Sequence, residues 1–374
     1  MEVQMQTRYK TIDIMKGIMI LSVAVYHLVY RVQDGIMDSA LRGMTYLLLP
    51  VFFVLSGYFY KKGNDNLIKS IFMRLRKFAL APAITAAVLI VVLAPYYIFL
   101  QEGYTFHTWV SDALTTFIRP ELMEQFLPDY ASVGTLFNNL SSVWYIWAMI
   151  WASIVFYAVA HFTEDSITKL SIASAILLVV GTVMYIFLPP MSWSLELAPL
   201  YAFFMMTGLI FRKMDLIEKA REINIFASLA IAIAAAVSHV FIFRFFGSDQ
   251  LYRSFFGEYN VLSVLFFVLQ TFIGGYVILT VARILRKFDP IGKPLSWVGS
   301  HTLVFLIFNG VIGGLASDLL RTYNKMGPNW YVDPLTAEIL IKSIITCIIS
   351  IAGCAALSLL NDKLKERFKK TGKA

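Results

Sequence analysis

Segment 12–30 carries a lysine at position 16 and a histidine at position 27 in an otherwise largely apolar run. An ionisable side chain at membrane depth costs about 2.5–3.5 kcal/mol on insertion scales, so such residues face protein or a water-filled passage and mark sites. Eleven residues of helix rise roughly 16 Å and return to nearly the same face. One face of one helix thus offers a cation toward one membrane surface and a proton acceptor toward the other. Asp13 lies a turn before Lys16, where the two can pair and lower the cost of burying both. Desolvation holds an imidazole neutral, the form a general base requires. His27 is therefore the candidate base, with Lys16 and Asp13 beside it; a helix-packing histidine is the plainer reading of the same residue. A second constellation is the run of Lys61, Lys62, Lys69, Arg74, Arg76 and Lys77. Lysine and arginine hold phosphates through point-charge and bidentate contacts, and Ser56 and Gly57 just before them are small enough for a backbone or ligand to approach closely. The ordinary basic flank of a membrane span accounts for most of the same charge.

These residues need elements to position them, and the composition says which. Of 374 residues, 58% are hydrophobic and 15% charged, and mean hydropathy is +0.69. Soluble domains hold about 25% charged residues, and apolar runs such as 223–243 and 261–281 are long enough for the roughly 20 residues a bilayer core requires. The expected fold class is all-α: a polytopic membrane protein of about ten helices near 11–30, 43–60, 79–100, 141–162, 168–188, 195–211, 224–244, 259–282, 297–319 and 335–360. With the N-terminus cytoplasmic, 23 of the 32 Lys and Arg residues fall on the cytoplasmic side, 7 on the other and two, Lys16 and Lys342, within spans. The positive-inside rule then places both termini in the cytoplasm. The net charge of +8 reads as an orientation signal and not as a nucleic-acid footprint.

The chain reads as a single membrane-embedded domain, 1–374, with no internal repeat and a first segment that is retained rather than cleaved as a leader. Its longest polar stretch is an external loop, 101–140, acidic and interrupted by Pro120 and Pro128, with 108–118 able to lie along the interface. A basic tail, 361–374, is expected as a surface-lying helix end beside anionic lipid. Cys347 and Cys354 stand about 10 Å apart along one helix, beyond disulfide reach. No metal-ligand spacing is present.

At Ile12-Asp13-Ile14-Met15-Lys16-Gly17, followed by His27, the sequence resembles membrane acyltransferase family 3, in which an Asp-x-x-(Arg/Lys)-Gly start precedes a histidine by a fixed interval. Val51-Phe52-Phe53-Val54-Leu55-Ser56-Gly57-Tyr58 is similar to the family's second span, and Ile71, Arg74 and Lys77 match a looser cationic motif. Trp144-Tyr145-Ile146-Trp147-Ala148 and the segment 299–309 resemble later elements, with Asn309 where a histidine is common. The resemblance covers essentially the whole chain and includes the fucose 4-O-acetylase-like branch.

That resemblance implies acyl transfer from a cytoplasmic acyl-CoA, typically acetyl-CoA, to a hydroxyl of a cell-envelope polysaccharide or lipid-linked sugar, in the bacterial inner membrane. It implies His27 in catalysis and functional cations at Lys16 and Arg74. The polyanionic end of CoA then belongs beside Arg74, Arg76, Lys77, Lys61, Lys62 and Ser56, and the rise from Lys16 to His27 is comparable to an extended pantetheine arm. His27 acts as general base, with a covalent acyl-His27 intermediate as the variant. Asn309, Tyr58 and Ser142 are candidate oxyanion donors. Glu196 is a candidate for holding a sugar hydroxyl, orienting His27, or merely snorkelling at the interface. Trp144, Tyr145 and Trp147 fit an aromatic belt and, less directly, sugar stacking. His301 is a second candidate for CoA contact. His107, His161 and His239 read as solvated, and Arg244 and Arg253 as interface anchors. The rival class is a transporter or flippase for a glycan or lipid-linked precursor, which paired Gly/Pro-broken spans would favour; the sequence lacks that symmetry.

Overall fold

A computed structural model describes residues 2–29, 48–61, 67–76, 80–100, 105–107, 109–110, 113, 143–188, 191–245, 261–323 and 337–371. Regular structure among these is helical throughout. In chain order the helices are α1 (Glu2–Val29), α2 (Leu48–Tyr58), α3 (Leu67–Leu75), α4 (Ala81–Leu100), α5 (Val143–Thr163), α6 (Ile167–Phe187), α7 (Ala198–Lys213), α8 (Leu216–Glu222), α9 (Ile225–Phe245), α10 (Val261–Leu285), α11 (Asp289–Ser300), α12 (Thr302–Tyr323) and α13 (Ala337–Thr371). A 3₁₀ turn, Ser192–Leu197, precedes α7.

A helix stands in each of the ten segments expected to be one. Five helical stretches are long and apolar enough to cross a bilayer: Tyr145–Thr163, Ile167–Phe187, Trp193–Lys213, Val264–Leu285 and Ile341–Arg367. A bent pair, α11 with α12, makes a sixth. Leu48–Tyr58, Ala83–Tyr96 and Ile225–Ser238 are apolar but shorter. Rows of large apolar residues such as Val179, Val183 and Phe187 on α6 and Ile344, Ile345 and Ile348 on α13 are exposed, as a lipid-facing surface requires.

Local chemistry sets the boundaries. The Ser166 hydroxyl accepts the Lys169 N–H at the start of α6, and Asp165 pairs with Lys169 at 2.9 Å. The helix ends at Leu188 in extended backbone, directly before Pro189 and Pro190, which continue no helix. At the other end of the chain, α13 runs on through most of the basic tail to Thr371. Segment 361–371 has no Gly or Pro and is rich in Lys, with a Leu, a Glu and an Arg between, residues that propagate a helix well.

The expected span 297–319 is not one straight helix, because α11 and α12 meet at 87°. His301 occupies the joint at φ −114°, ψ 21°, its N–H bonded three residues back to Val298 O at 2.9 Å. Its ring Nδ1 lies 2.8 Å from Trp297 O, and Nε2 meets Asp362 of α13 at 2.9 Å.

The helices form two units. In the first, α1, α11, α12 and α13 pack together. Gly17 of α1 and Gly299 of α11 bring the two backbones into contact: a Cβ on Gly299 would lie 2.6 Å from the Asp13 carbonyl carbon and 2.9 Å from Gly17 N. In the second unit, α7 is the buried axis, with residues 198–206 wholly enclosed. There α2 crosses α7 through Gly57 and Gly208, each pressed on the other helix's backbone, and Phe53 stacks on Tyr201 with centroids 4.3 Å apart.

Candidate functional site

The residues whose chemistry drew attention divide between the two units. In the first, α1 is unbroken from Glu2 to Val29, so Lys16 and His27 share one helix. Lys16 Nζ stands 2.6 Å from Asp13 Oδ1, with the two side chains 23% and 28% exposed. The pair is a turn-length ion pair in a half-buried setting, where attraction is stronger than in bulk water. Gly17 follows directly, and its lack of a Cβ is what lets α11 lie against α1 at this level. The motif's aspartate, lysine and glycine are thus one local device: a paired charge set at a close helix crossing. Nearby, Lys10 reaches Asp289 at 3.2 Å and Arg286 reaches the Thr11 hydroxyl at 3.4 Å, tying α1 to the segment that leads into α11. The side chain of His27 lies outside the described residues.

Asn309 is buried on α12. The Ser350 hydroxyl of α13 contacts both Asn309 Oδ1 (2.7 Å) and its backbone O (2.8 Å). That bond ties two apolar helices together, where small polar side chains act as interhelical glue. His301, the second candidate for CoA, is engaged at the helix joint by Asp362, Trp297 O and Ser300 Oγ.

In the second unit, the Ser-Gly-Tyr motif is structural at each described contact. Ser56 Oγ returns to Phe52 O within its own helix (2.8 Å), Gly57 faces α7, and the buried Tyr58 hydroxyl donates to the Glu218 carboxylate, with oxygens at 2.9 and 3.1 Å. Arg212 donates to Tyr60 O. Arg283 donates to Ala220 O (2.9 Å), Ser228 Oγ (2.8 Å) and Ile223 O (2.8 Å), closing the C-terminal end of α8 against α9. Sequence offered no signal for Glu218 or Arg283 beyond their place in a charged flank. Of the basic run, Lys61, Lys69 and Arg76 are exposed, while Lys62 and Lys77, and the side chain of Arg74, lie outside the described residues, as do Ser142 and the side chain of Trp144. Most of loop 101–140 lies outside them too; helical backbone stands at 106–107 and 109–110.

Glu196 is buried rather than snorkelling, at 6% exposure. Its Oε2 accepts the Met191 N–H at 2.9 Å, closing the 3₁₀ turn in which Trp193 (φ 64°) and Ser194 (φ 53°) both adopt left-handed backbone. Each such residue costs about 1–2 kcal/mol, which the surrounding packing offsets. Tyr145 is buried, edge-on to Phe52 and Phe53 at 6.4 and 5.2 Å. Trp147 stacks on Trp193 at 5.3 Å, and Trp151, one turn further along α5, stacks on it at 6.3 Å.

The family model of acyltransferase 3, described as an acyltransferase domain, matches residues 9–359. The chain belongs to that family: it is an acyltransferase and, by its apolar helices, an integral membrane protein. The comparisons with curated proteins and with solved structures gave no match.

Proposed function

We propose that the protein transfers an acetyl group from cytoplasmic acetyl-CoA to a hydroxyl of a cell-envelope polysaccharide or lipid-linked sugar. The supporting observation is the combination of the family match over residues 9–359 with the Asp13–Lys16 pair set on the same unbroken helix as His27. In this reading ten helices cross a bacterial inner membrane, both termini are cytoplasmic, and no metal takes part. Arg74, Arg76, Lys77, Lys61 and Lys62 neutralise the CoA phosphates, as clustered cations do. Lys16, oriented by Asp13, adds a fixed positive charge on the helix that carries the base.

His27 takes the proton of the acceptor hydroxyl as its oxygen attacks the thioester carbonyl. The C–O bond forms and the C–S bond breaks. The imidazolium returns the proton to the departing sulfur, giving the ester and free CoA thiol, with no net redox change. Positioned general-base catalysis is worth about 10²–10⁴ in rate, so His27→Ala should lower transfer by at least that factor while CoA binding persists. The assay is CoA release from acetyl-CoA by the purified protein with and without envelope glycan, and the mass increment on the glycan separates acetyl from succinyl. Wild-type turnover in His27→Ala would refute the base assignment. Glycan translocation without CoA release would refute the reaction and favour a flippase.

A further inference from the structure

Helix α3 exposes large apolar side chains: Ile68 is 78% exposed, Phe72 61% and Met73 47%. Leu67, Ile71 and Leu75, spaced one turn apart, are half-buried, and α3 packs against α5. At about 100° per residue, Ile68 and Phe72 lie directly beside that row, so the two sets make one apolar side, part of it uncovered. Lys69 and Arg76, both exposed, follow next round the helix. An apolar side bordered by cations is the pattern of a helix lying in a membrane interface. Segment 61–77 holds six Lys and Arg residues against one Asp, a balance complementary to an anionic leaflet.

The chain also delivers α3 to the matching depth. Tyr60, just past α2, rests on Phe156 and Tyr157 of α5, with ring centroids 5.3 and 5.4 Å apart. Six residues of α5 follow Tyr157 before the helix ends at Thr163, roughly 9 Å of rise. The chain therefore leaves α2 within the length of a helix that is long and apolar enough to cross a bilayer, Tyr145–Thr163. On the other side, five residues separate α3 from α4, a reach of at most about 20 Å. The exposed Ile84, Val88 and Val91 of α4 form a lipid-facing row. We propose that α3 is seated in the membrane interface, with Ile68 and Phe72 among the acyl chains and Lys69 and Arg76 among anionic phospholipid headgroups. In the topology that the charge distribution assigns, this leaflet is the cytoplasmic one. The seat holds the helix that carries Arg74 at headgroup depth. It is independent of the acyl-transfer reading: the occupant is the bilayer surface, and acyl donor and acceptor play no part in it.

The test uses the full-length protein in lipid nanodiscs without acetyl-CoA, so that headgroups alone meet the cations. With Cys347 and Cys354 replaced by Ala, a nitroxide is attached in turn to Ile68→Cys and Phe72→Cys. Val183→Cys, on the exposed apolar row of α6, is the lipid reference, and Asp165→Cys, exposed between α5 and α6, is the aqueous one. Collision with oxygen reports acyl chains, and collision with a water-soluble nickel chelate reports water. Labels at 68 and 72 should follow Val183→Cys, with nickel access severalfold below that of Asp165→Cys. Labels that follow Asp165→Cys instead overturn the seat. Labels shielded from both reagents overturn it too, and show that a protein surface covers α3. Headgroup contact is read by amide hydrogen exchange over 67–75 in phosphatidylcholine and in an equal mixture with phosphatidylglycerol. Each cation at the anionic surface should slow exchange about fivefold, and Arg76→Gln should lose that factor. Equal exchange in the two lipids, or a phosphatidylglycerol effect untouched by Arg76→Gln, overturns the placing of these cations among headgroups.

Discussion

Gly299→Ala is the most discriminating perturbation of the first unit. A methyl at this position would sit 2.6 Å from the Asp13 carbonyl carbon and 2.9 Å from Gly17 N, whereas ordinary carbon contacts begin near about 3.5 Å. The obstruction is backbone, with the Asp13 carbonyl oxygen nearest of all, and it cannot rotate away as a side-chain tip does, so α11 and α1 must separate by at least about an ångström. Overpacking of this kind costs about 1–3 kcal/mol, or roughly 5- to 150-fold in the population of the close crossing. The separation falls at the residues flanking Lys16, so acyl transfer should drop together with the thermal midpoint. Gly275→Ala is the internal control: its nearest atom would be a methyl of Val51 at 3.5 Å, and alanine gains up to about 1 kcal/mol of helix propensity over glycine. Thermal unfolding in detergent and CoA release would be measured for both variants. Indistinguishable behaviour of Gly299→Ala and Gly275→Ala would refute the argument that the motif glycine exists for a backbone crossing.

Tyr58→Phe removes the donor that meets both oxygens of Glu218. A hydrogen bond to a charged group is worth about 1.5–3 kcal/mol, so the thermal midpoint should fall. A double-mutant cycle with Glu218→Gln should show coupling between the two; additive losses would sink the assignment. Ser350→Ala leaves the buried Asn309 amide oxygen without its donor from α13, at about 1–3 kcal/mol, and a midpoint unchanged from wild type would show that the bond contributes nothing. Asp165 is exposed, and its pKa is lowered chiefly by the hydrogen bond from Lys169. A depressed folded-state carboxyl contributes stability above its unfolded pKa of about 3.9 and loses it as pH falls through the folded value. The midpoint of wild type should therefore decline below pH about 4 slightly more than that of Asp165→Asn, and identical acid profiles would count against the pairing.

Much of the helix plan was legible because membrane helices announce themselves through length and apolarity: a helix stands in each of the ten expected segments, and among the described residues five, or six with the bent pair, are long and apolar enough to cross a bilayer. The first motif was legible for a similar reason: Asp13 and Lys16 lie one turn apart, so local helical geometry brings them together whatever the rest of the chain does. The break at His301 was not legible. Segment 297–319 is apolar enough to read as one span, whereas the fold bends it by 87° at a joint whose His301 ring meets Asp362, sixty-one residues away. Ser56 and Tyr58 looked like ligand-facing residues in sequence. In the fold the Ser56 hydroxyl donates to Phe52 O, a bond local to its own helix, while tertiary packing brings the Tyr58 hydroxyl to Glu218, 160 residues distant. Glu196 has the same history: an interfacial carboxylate by position, a buried turn-closing group in space.

The linear chain by itself determined the class, the helical segments, the charge asymmetry and the acyltransferase signature, because each rests on composition or on contacts within a turn or two. Only the tertiary structure decided which glycines are crossings, which polar residues tie helices together, and which aromatic rings stack on one another. Those outcomes depend on which distant faces meet, and a pattern of period 3.6 says that a face exists without saying what it meets.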